Sequence, residues 1–266
     1  MDHTPNTTLL FSFLFFITYL ITIASSKDLC NQNDKNTLLK IKKSLNNPYH
    51  LASWDPESDC CSWYCLECGD ATVNYRVISL TIFAGQISGQ IPPEVGDLPY
   101  IQRLTFHKLT NITGQIPSTI TKLKHLRFLT LSRLNLTGPV PEFLKQLMNL
   151  EYLNLSFNQL SGSIPSSLSS LPKLTGIDLS RNKLTGTIPE SFGSFAAEVP
   201  YLILSHNQLS GSIPKSLGNN DFQDGFNVSY NRLCGPIPTG GSLQRFDYYT
   251  YFHNKCLCGA PLDSCK

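Results

Sequence analysis

Between Cys68 and Cys234 the sequence has no cysteine, although the whole chain has nine. Cross-links can therefore tie down only the two ends, and apolar burial must hold the middle. Charge is also scarce. Only 15% of residues are charged and the formal net charge is +2, so the basic excess that nucleic-acid recognition needs is missing. Cys65-x-x-Cys68 has no second His/Cys pair at metal-ligand spacing, which leaves a zinc site without its other half. No metal or cofactor is expected. No Ser/His/Asp constellation or nucleotide-binding signature stands out. Long apolar runs are missing too, apart from Leu9 to Ala24, LLFSFLFFITYLITIA. That run is shorter than the ~20 residues of a spanning helix and precedes the small residues Ser25 and Ser26, so residues 1–26 read as a signal peptide. No Lys or Arg stands ahead of the run, a mild departure from the usual pattern. A membrane receptor would need a second run before Lys266, so the mature product is expected to be soluble and secreted, with no stable membrane insertion.

What the chain has in plenty is leucine at fixed intervals. In Leu150 to Lys173, LEYLNLSFNQLSGSIPSSLSSLPK, Leu150 is followed by Leu153, Leu155, Asn158, Leu160, Gly162, Ile164, Pro165, Leu168 and Leu171. The same pattern opens at Val77, Ile101, Leu126, Leu174, Val199 and Gln223, with spacings of 24, 25, 24, 24, 25 and 24 residues. A unit of that length cannot cover its own apolar side; only stacking does so, which predicts a solenoid of seven coils. The unit is a leucine-rich repeat. The fold class expected is an α/β solenoid: a right-handed curved superhelix with a parallel concave sheet, 3-10 turns on the outer side and disulfide-bonded caps.

Each part of the repeat has a physical job. Alternation in Leu153-x-Leu155 sends the leucines inward and Tyr152, Asn154 and Ser156 outward. Strands are expected within two residues of 103–106, 128–131, 152–155, 176–179, 201–204 and 225–228. Asn158, Asn182, Asn207 and Asn231 recur at position eight and are expected to turn inward, satisfying backbone groups that the bend leaves unpaired. Gly162 with Ile164-Pro165, repeated at Gly186 and Gly211, ends the strand and turns the chain outward. This S/T-G-x-I-P form is similar to the plant-specific, extracellular class of repeats.

The domain reading is an N-terminal cap over 27–76, repeats over 77–242 and a C-terminal cap over 243–266. Asn33-Asp34 is expected to cap a short helix with Leu38, Leu39, Ile41 and Leu45 toward one side, and Trp54 and Trp63 to cover the first coil. An odd cysteine count leaves one thiol over, Cys65 or Cys68. At Asn220 to Gly225 polar Asn220 and Gln223 stand where other coils have apolar residues. Replacing a buried leucine costs about 2–5 kcal/mol, which predicts the weakest seam of the array there.

DLCNQNDKNTLLKIKKSL, LASWDPESDCCSWYC, the repeats, FNVSYNRLCGPIP and YFHNKCLCGAPL together resemble the plant polygalacturonase-inhibiting proteins. The resemblance implies a secreted cell-wall protein that inhibits fungal or insect polygalacturonases through its concave face, limiting pectin degradation, with no chemistry of its own. It also implies pairing of Cys30 with Cys60, Cys61 with Cys68 or Cys65, Cys234 with Cys256, and Cys258 with Cys265. Family members have about ten repeats, so seven coils would give a contact surface shortened to roughly 30 Å at ~4.8 Å per strand. The competing readings are a pectin-binding (homogalacturonan-binding) wall protein without inhibition, and a soluble receptor-like recognition module.

Positions two, four and six of each coil are expected to face out from the concave sheet, with position seven at its edge. The candidate partner-binding residues there are Arg103, Thr105, His107, Lys108, Phe128, Thr130, Arg133, Tyr152, Phe157, Asp178, Arg181, Tyr201 and His206. Interleaved basic and aromatic groups suit an acidic protein surface or a galacturonan. Glycoside hydrolysis needs two carboxylates about one bond, and Asp178 is the only acid in these columns. Glycosylation acceptors of the N-x-S/T form stand at Asn111, Asn135, Asn154 and Asn227, the last two on the concave face.

Overall fold

The computed structural model describes residues 29–195, 201–223 and 225–265. The expected signal peptide and the opening of the coil at Val199 lie outside them. The alternating leucines form one eight-stranded sheet: β1 (Leu66–Cys68), β2 (Val77–Phe83), β3 (Arg103–His107), β4 (Phe128–Ser132), β5 (Tyr152–Asn154), β6 (Gly176–Asp178), β7 (Tyr201–Ile203) and β8 (Gly225–Asn227). From β2 to β8 every neighbouring pair is parallel, and each expected strand lies where its repeat put it. Register aligns Leu129, Leu153, Ile177, Leu202 and Phe226 in one file, all buried. β1 comes from the N-terminal cap and closes the sheet edge antiparallel to β2, which covers an otherwise open row of backbone donors and acceptors.

The outer side carries 3-10 turns such as Ser118–Lys122, Glu142–Gln146 and Ser166–Ser170, each preceded by a proline. Gly162, at φ +79°, does not simply end the strand. A second row of short parallel strands runs along the flank, pairing Asn111–Gly114 with Asn135–Leu136, and Ser161–Gly162 with Lys183–Leu184.

The asparagine ladder forms as the spacing predicts. Asn182 donates through Nδ2 to the carbonyls of Leu155, Leu179 and Ser180 at 3.0, 3.1 and 3.2 Å, and its Oδ1 accepts the Leu160 N–H at 3.0 Å. Asn254, in the C-terminal cap, repeats the arrangement. Its amide donates to Val228 and Tyr251 carbonyls and accepts from Leu233 N–H. The cap thus begins as an eighth coil, and Asn254 is the fifth rung of the ladder.

The N-terminal helix α1 (Gln32–Ser44) is capped by Asn31 rather than by Asn33-Asp34. Asp34 instead joins the cap to the sheet. Fully buried, it accepts from Arg76 Nε and Nη2 at 2.8 and 2.7 Å and from the Val77 N–H, pinning α1 to β2. Trp54 and Trp63 stack at 5.7 Å beneath it. The disulfides are Cys30–Cys60, Cys61–Cys68, Cys234–Cys256 and Cys258–Cys265, so the open choice resolves to Cys65 as the free thiol.

The seam differs from expectation. Phe222 is fully buried and packs against Phe226 at 5.0 Å, while Gln223 stays exposed and Asn220 donates to the Phe192 carbonyl. An aromatic ring entering one residue before the repeat opening fills the space of the missing leucines. The seam therefore has an apolar core.

Candidate partner-binding face

Position seven of every coil follows a strand that ends in a hydrogen bond to the next coil: Arg133 N–H to Ser156 O, Phe157 N–H to Ser180 O, and His206 N–H to Ser229 O. That tether turns the backbone left-handed at Ala84, Lys108, Arg133, Phe157, Arg181, His206, Tyr230 and His253, all with φ between +52° and +56°. Left-handed backbone costs a non-glycine residue ~1–2 kcal/mol, yet none of these eight positions is glycine. Each instead sends a side chain to the edge of the concave face.

These side chains meet. Phe157 lies between two guanidiniums, with Arg133 at 3.9 Å and Arg181 at 4.9 Å from its ring centroid. Arg103 covers Phe128 at 4.4 Å. In column two, Tyr152 and Tyr201 approach to 6.0 Å across Gly176. A Cβ on Gly176 would lie 2.5 Å from the Tyr152 ring, so that glycine is the floor on which the ring lies rather than a gap in the face. Gly225 offers the same floor to Tyr201, with a Cβ there falling 3.3 Å from the ring.

The remaining candidates divide by exposure. Arg103, Lys108, Arg133 and Arg181 are exposed; Thr105, His107, Phe128, Thr130, Tyr152, Phe157, Asp178, Tyr201 and His206 are half-buried. The expectation that Ser156 and the other column-six serines face out is corrected, since Ser132, Ser156, Ser180, Ser205 and Ser229 are buried. The next coil closes over them as the strands end. Ser132 is tied to His107 Nδ1 at 2.8 Å, and the Ser156 hydroxyl donates to Asn154 Oδ1 at 2.7 Å. The central aromatics are likewise half-covered rather than free, because cations and glycine floors pack on them. More exposed rings stand nearer the ends: Phe83 and Tyr64, and Tyr230, Tyr248 and Tyr249.

Asp178 accepts the Ser180 N–H at 2.9 Å, and Glu151 is held by Arg127 at 2.7 and 2.9 Å. Both nearby acids are thus occupied. Burial, then Lys108 and Arg133, holds the His107 imidazole below its ordinary value, and burial, then Arg181 and His253, does the same to His206. Burial, reinforced by Tyr201 and Asp178, pushes the Tyr152 phenol up to about 12, so it remains a neutral hydrogen-bonding ring.

Of the sequon asparagines, Asn154 and Asn227 lie half-buried in β5 and β8, each accepting from a serine two residues on. Asn111 and Asn135 are exposed on the flank. The sequence reading missed the continuation of column seven into the cap, where Tyr230 stacks on His206 at 4.1 Å and lies tilted against His253 at 4.5 Å. Asn254 was the available signal, one residue after His253 as Asn207 is one after His206.

The family described as leucine rich repeat N-terminal domain matches residues 31–69, and leucine rich repeat families match 124–184, 149–209 and 200–220. Polygalacturonase inhibitor 1 of Arabidopsis thaliana is 73% identical over 132 residues, covering 50% of this chain and 38% of that protein. Polygalacturonase inhibitor of Vitis vinifera is 59% identical over 108 residues, 41% of this chain and 32% of that protein. The aligned stretch thus spans about a third of each of these curated relatives. Among solved structures, a plant ice-binding protein is 42% identical with a TM-score of 0.62, over 90% of this chain and 99% of that one. With the repeat, the ladder and both caps in place, the chain belongs to the leucine-rich repeat family, within which it is similar to the plant polygalacturonase inhibitors.

Proposed function

We propose that this protein is a secreted plant defence protein that lays its concave face against a fungal or insect polygalacturonase and so limits pectin degradation. The observation that carries the reading is the edge from Lys108 to Arg181, where cations alternate with a guanidinium-sandwiched phenylalanine and both nearby acids are occupied, Asp178 by the Ser180 N–H and Glu151 by Arg127. Such an edge suits an acidic protein surface, with arginine and aromatic groups as anchors. It offers no pair of free carboxylates for hydrolysis, so it would act by obstruction. Glycans on Asn111 and Asn135 would sit on the flank and leave the face clear. A reducing-sugar assay of several fungal polygalacturonases with the purified chain tests this: slowed release supports it, and no effect on any enzyme refutes it. Salt-sensitive retention on homogalacturonan without inhibition would instead identify a wall-binding protein.

A second reading, ice binding, is favoured by the flank, where Ser161, Ser163, Thr185, Thr187, Ser210 and Ser212 form two exposed files of hydroxyls. The similarity to a plant ice-binding protein runs along nearly the whole of that chain. An ice-recrystallisation assay separates the two readings.

A further inference from the structure

The C-terminal cap is usually read as a plug, but here its first turn keeps the geometry of a working coil. Val228, Tyr230 and Asn231 donate their N–H groups to Thr250, Phe252 and His253 carbonyls, as each earlier coil does to its successor. Asn254 completes an asparagine rung, and His253 has the same left-handed backbone, φ +54°, as every position-seven residue before it. Column seven therefore does not stop at the last repeat. It ends in His206, Tyr230 and His253, the phenol stacked on the His206 imidazole at 4.1 Å and tilted by 30° against that of His253 at 4.5 Å, with Phe252 edge-on at 4.9 Å.

We propose that the partner-binding face continues onto this cap, where His206, Tyr230 and His253 act as one contact element for carboxylate groups on an acidic protein partner. The inference rests on the inhibitor reading above and assigns the cap a part in it. Charge complementarity selects the occupant. The groups facing His206 are Arg181 from the preceding coil, Tyr230 from the following one and His253 from the cap, none of them a carboxylate. The rings packed on His253 are Tyr230 and Phe252, and the cavity beside it is lined also by Tyr248, Lys255 and Asp263, one cation and one carboxylate.

A regulatory consequence follows. Burial first, then Arg181 and His253, keeps His206 from taking a proton until the solution is more acid than its ordinary value. A carboxylate brought against the triplet offsets that repulsion and favours the imidazolium. Binding then takes up protons, and by linkage the complex tightens as pH falls through the histidine range. Tyr230, stacked on His206 at 4.1 Å, gains cation–π attraction once that imidazole is charged.

The test uses a fungal polygalacturonase that the chain inhibits, with the inhibition constant measured at about pH 7 and about pH 5 for the unmodified chain and for the double variant His206→Gln, His253→Gln. Taking the ratio of the two proteins at each pH cancels the enzyme's own titration. The unmodified chain is expected to gain roughly tenfold relative to the variant on acidification. Calorimetry of the unmodified chain in buffers of differing ionisation enthalpy should show net proton uptake on binding, a readout independent of how the variant folds. Inhibition with an unchanged ratio and no proton uptake overturns this inference alone. No inhibition by the unmodified chain at either pH overturns the inhibitor reading and this inference with it.

Discussion

Phe157 is the position where stability and function can be pulled apart. Its ring is half-buried between Arg133 and Arg181, and its backbone is left-handed at φ +56°. Replacing it by alanine removes two cation–π contacts, worth ~0.5–1 kcal/mol each at exposed sites, while leaving the backbone strained. Glycine removes the same contacts and also relieves ~1–2 kcal/mol of left-handed strain. Against that, glycine loses ~0.4–1 kcal/mol through the greater freedom of the unfolded chain. Phe157→Gly should therefore be about 0.5–1 kcal/mol more stable than Phe157→Ala. That difference corresponds to a melting temperature higher by roughly 1–4 °C in a chain of this size. Inhibition should behave otherwise. If the ring anchors the partner, both variants lose about 2 kcal/mol or more of binding, roughly a thirtyfold rise in inhibition constant, and lose it equally. Scanning calorimetry and the reducing-sugar assay on the same preparations give both numbers. A glycine variant less stable than the alanine one would refute the strain argument, and unchanged inhibition in both would place the anchor elsewhere.

Changing Arg133, Phe157 and Arg181 together to alanine should abolish inhibition while leaving the circular dichroism spectrum nearly unaltered; inhibition that survives moves the contact off the central edge. In the ladder, Asn182→Ala leaves the Leu155 and Leu179 carbonyls with bonds from Asn158 and Asn207 but orphans the Leu160 N–H. The cost should be set by that one buried donor, about 1–3 kcal/mol by urea unfolding, and a loss below about 0.5 kcal/mol would contradict it. Asp34→Ala strips a buried carboxylate from Arg76 and the Val77 N–H, and should cost about 3 kcal/mol, with α1 the first element to lose amide protection in hydrogen exchange. Burial pushes the Cys65 thiol up to about 11, so alkylation by iodoacetamide near pH 8 should be slow in the folded protein and fast after unfolding; rapid labelling of the native chain would show the thiol to be open.

Much of this molecule is local and therefore legible in a line of letters. A 24-residue period of leucines requires stacked coils, because no single coil can cover its own apolar side. Alternation in Leu153-x-Leu155 fixes which residues enter the core, and an asparagine at position eight is placed to serve the backbone of the bend wherever it recurs. Cysteines gathered at the ends announce the caps. What the sequence could not decide is how neighbouring coils cover one another. Ser156 alternates outward yet is buried by the next coil, and Gly176 looks like a gap until the Tyr152 ring lies over it. Asn220 and Gln223 read as a polar seam, because Phe222, which fills it, stands out of phase with the repeat. His253 and Asn254 carry no leucine period around them, and only hydrogen bonds to Asn231 and Leu233 of the preceding coil show the cap to begin as an eighth coil. The period is a property of each coil alone and survives in the sequence; the candidate partner face is made between coils, where side chains from residues some 24 apart meet, and only packing decides which of them remain exposed.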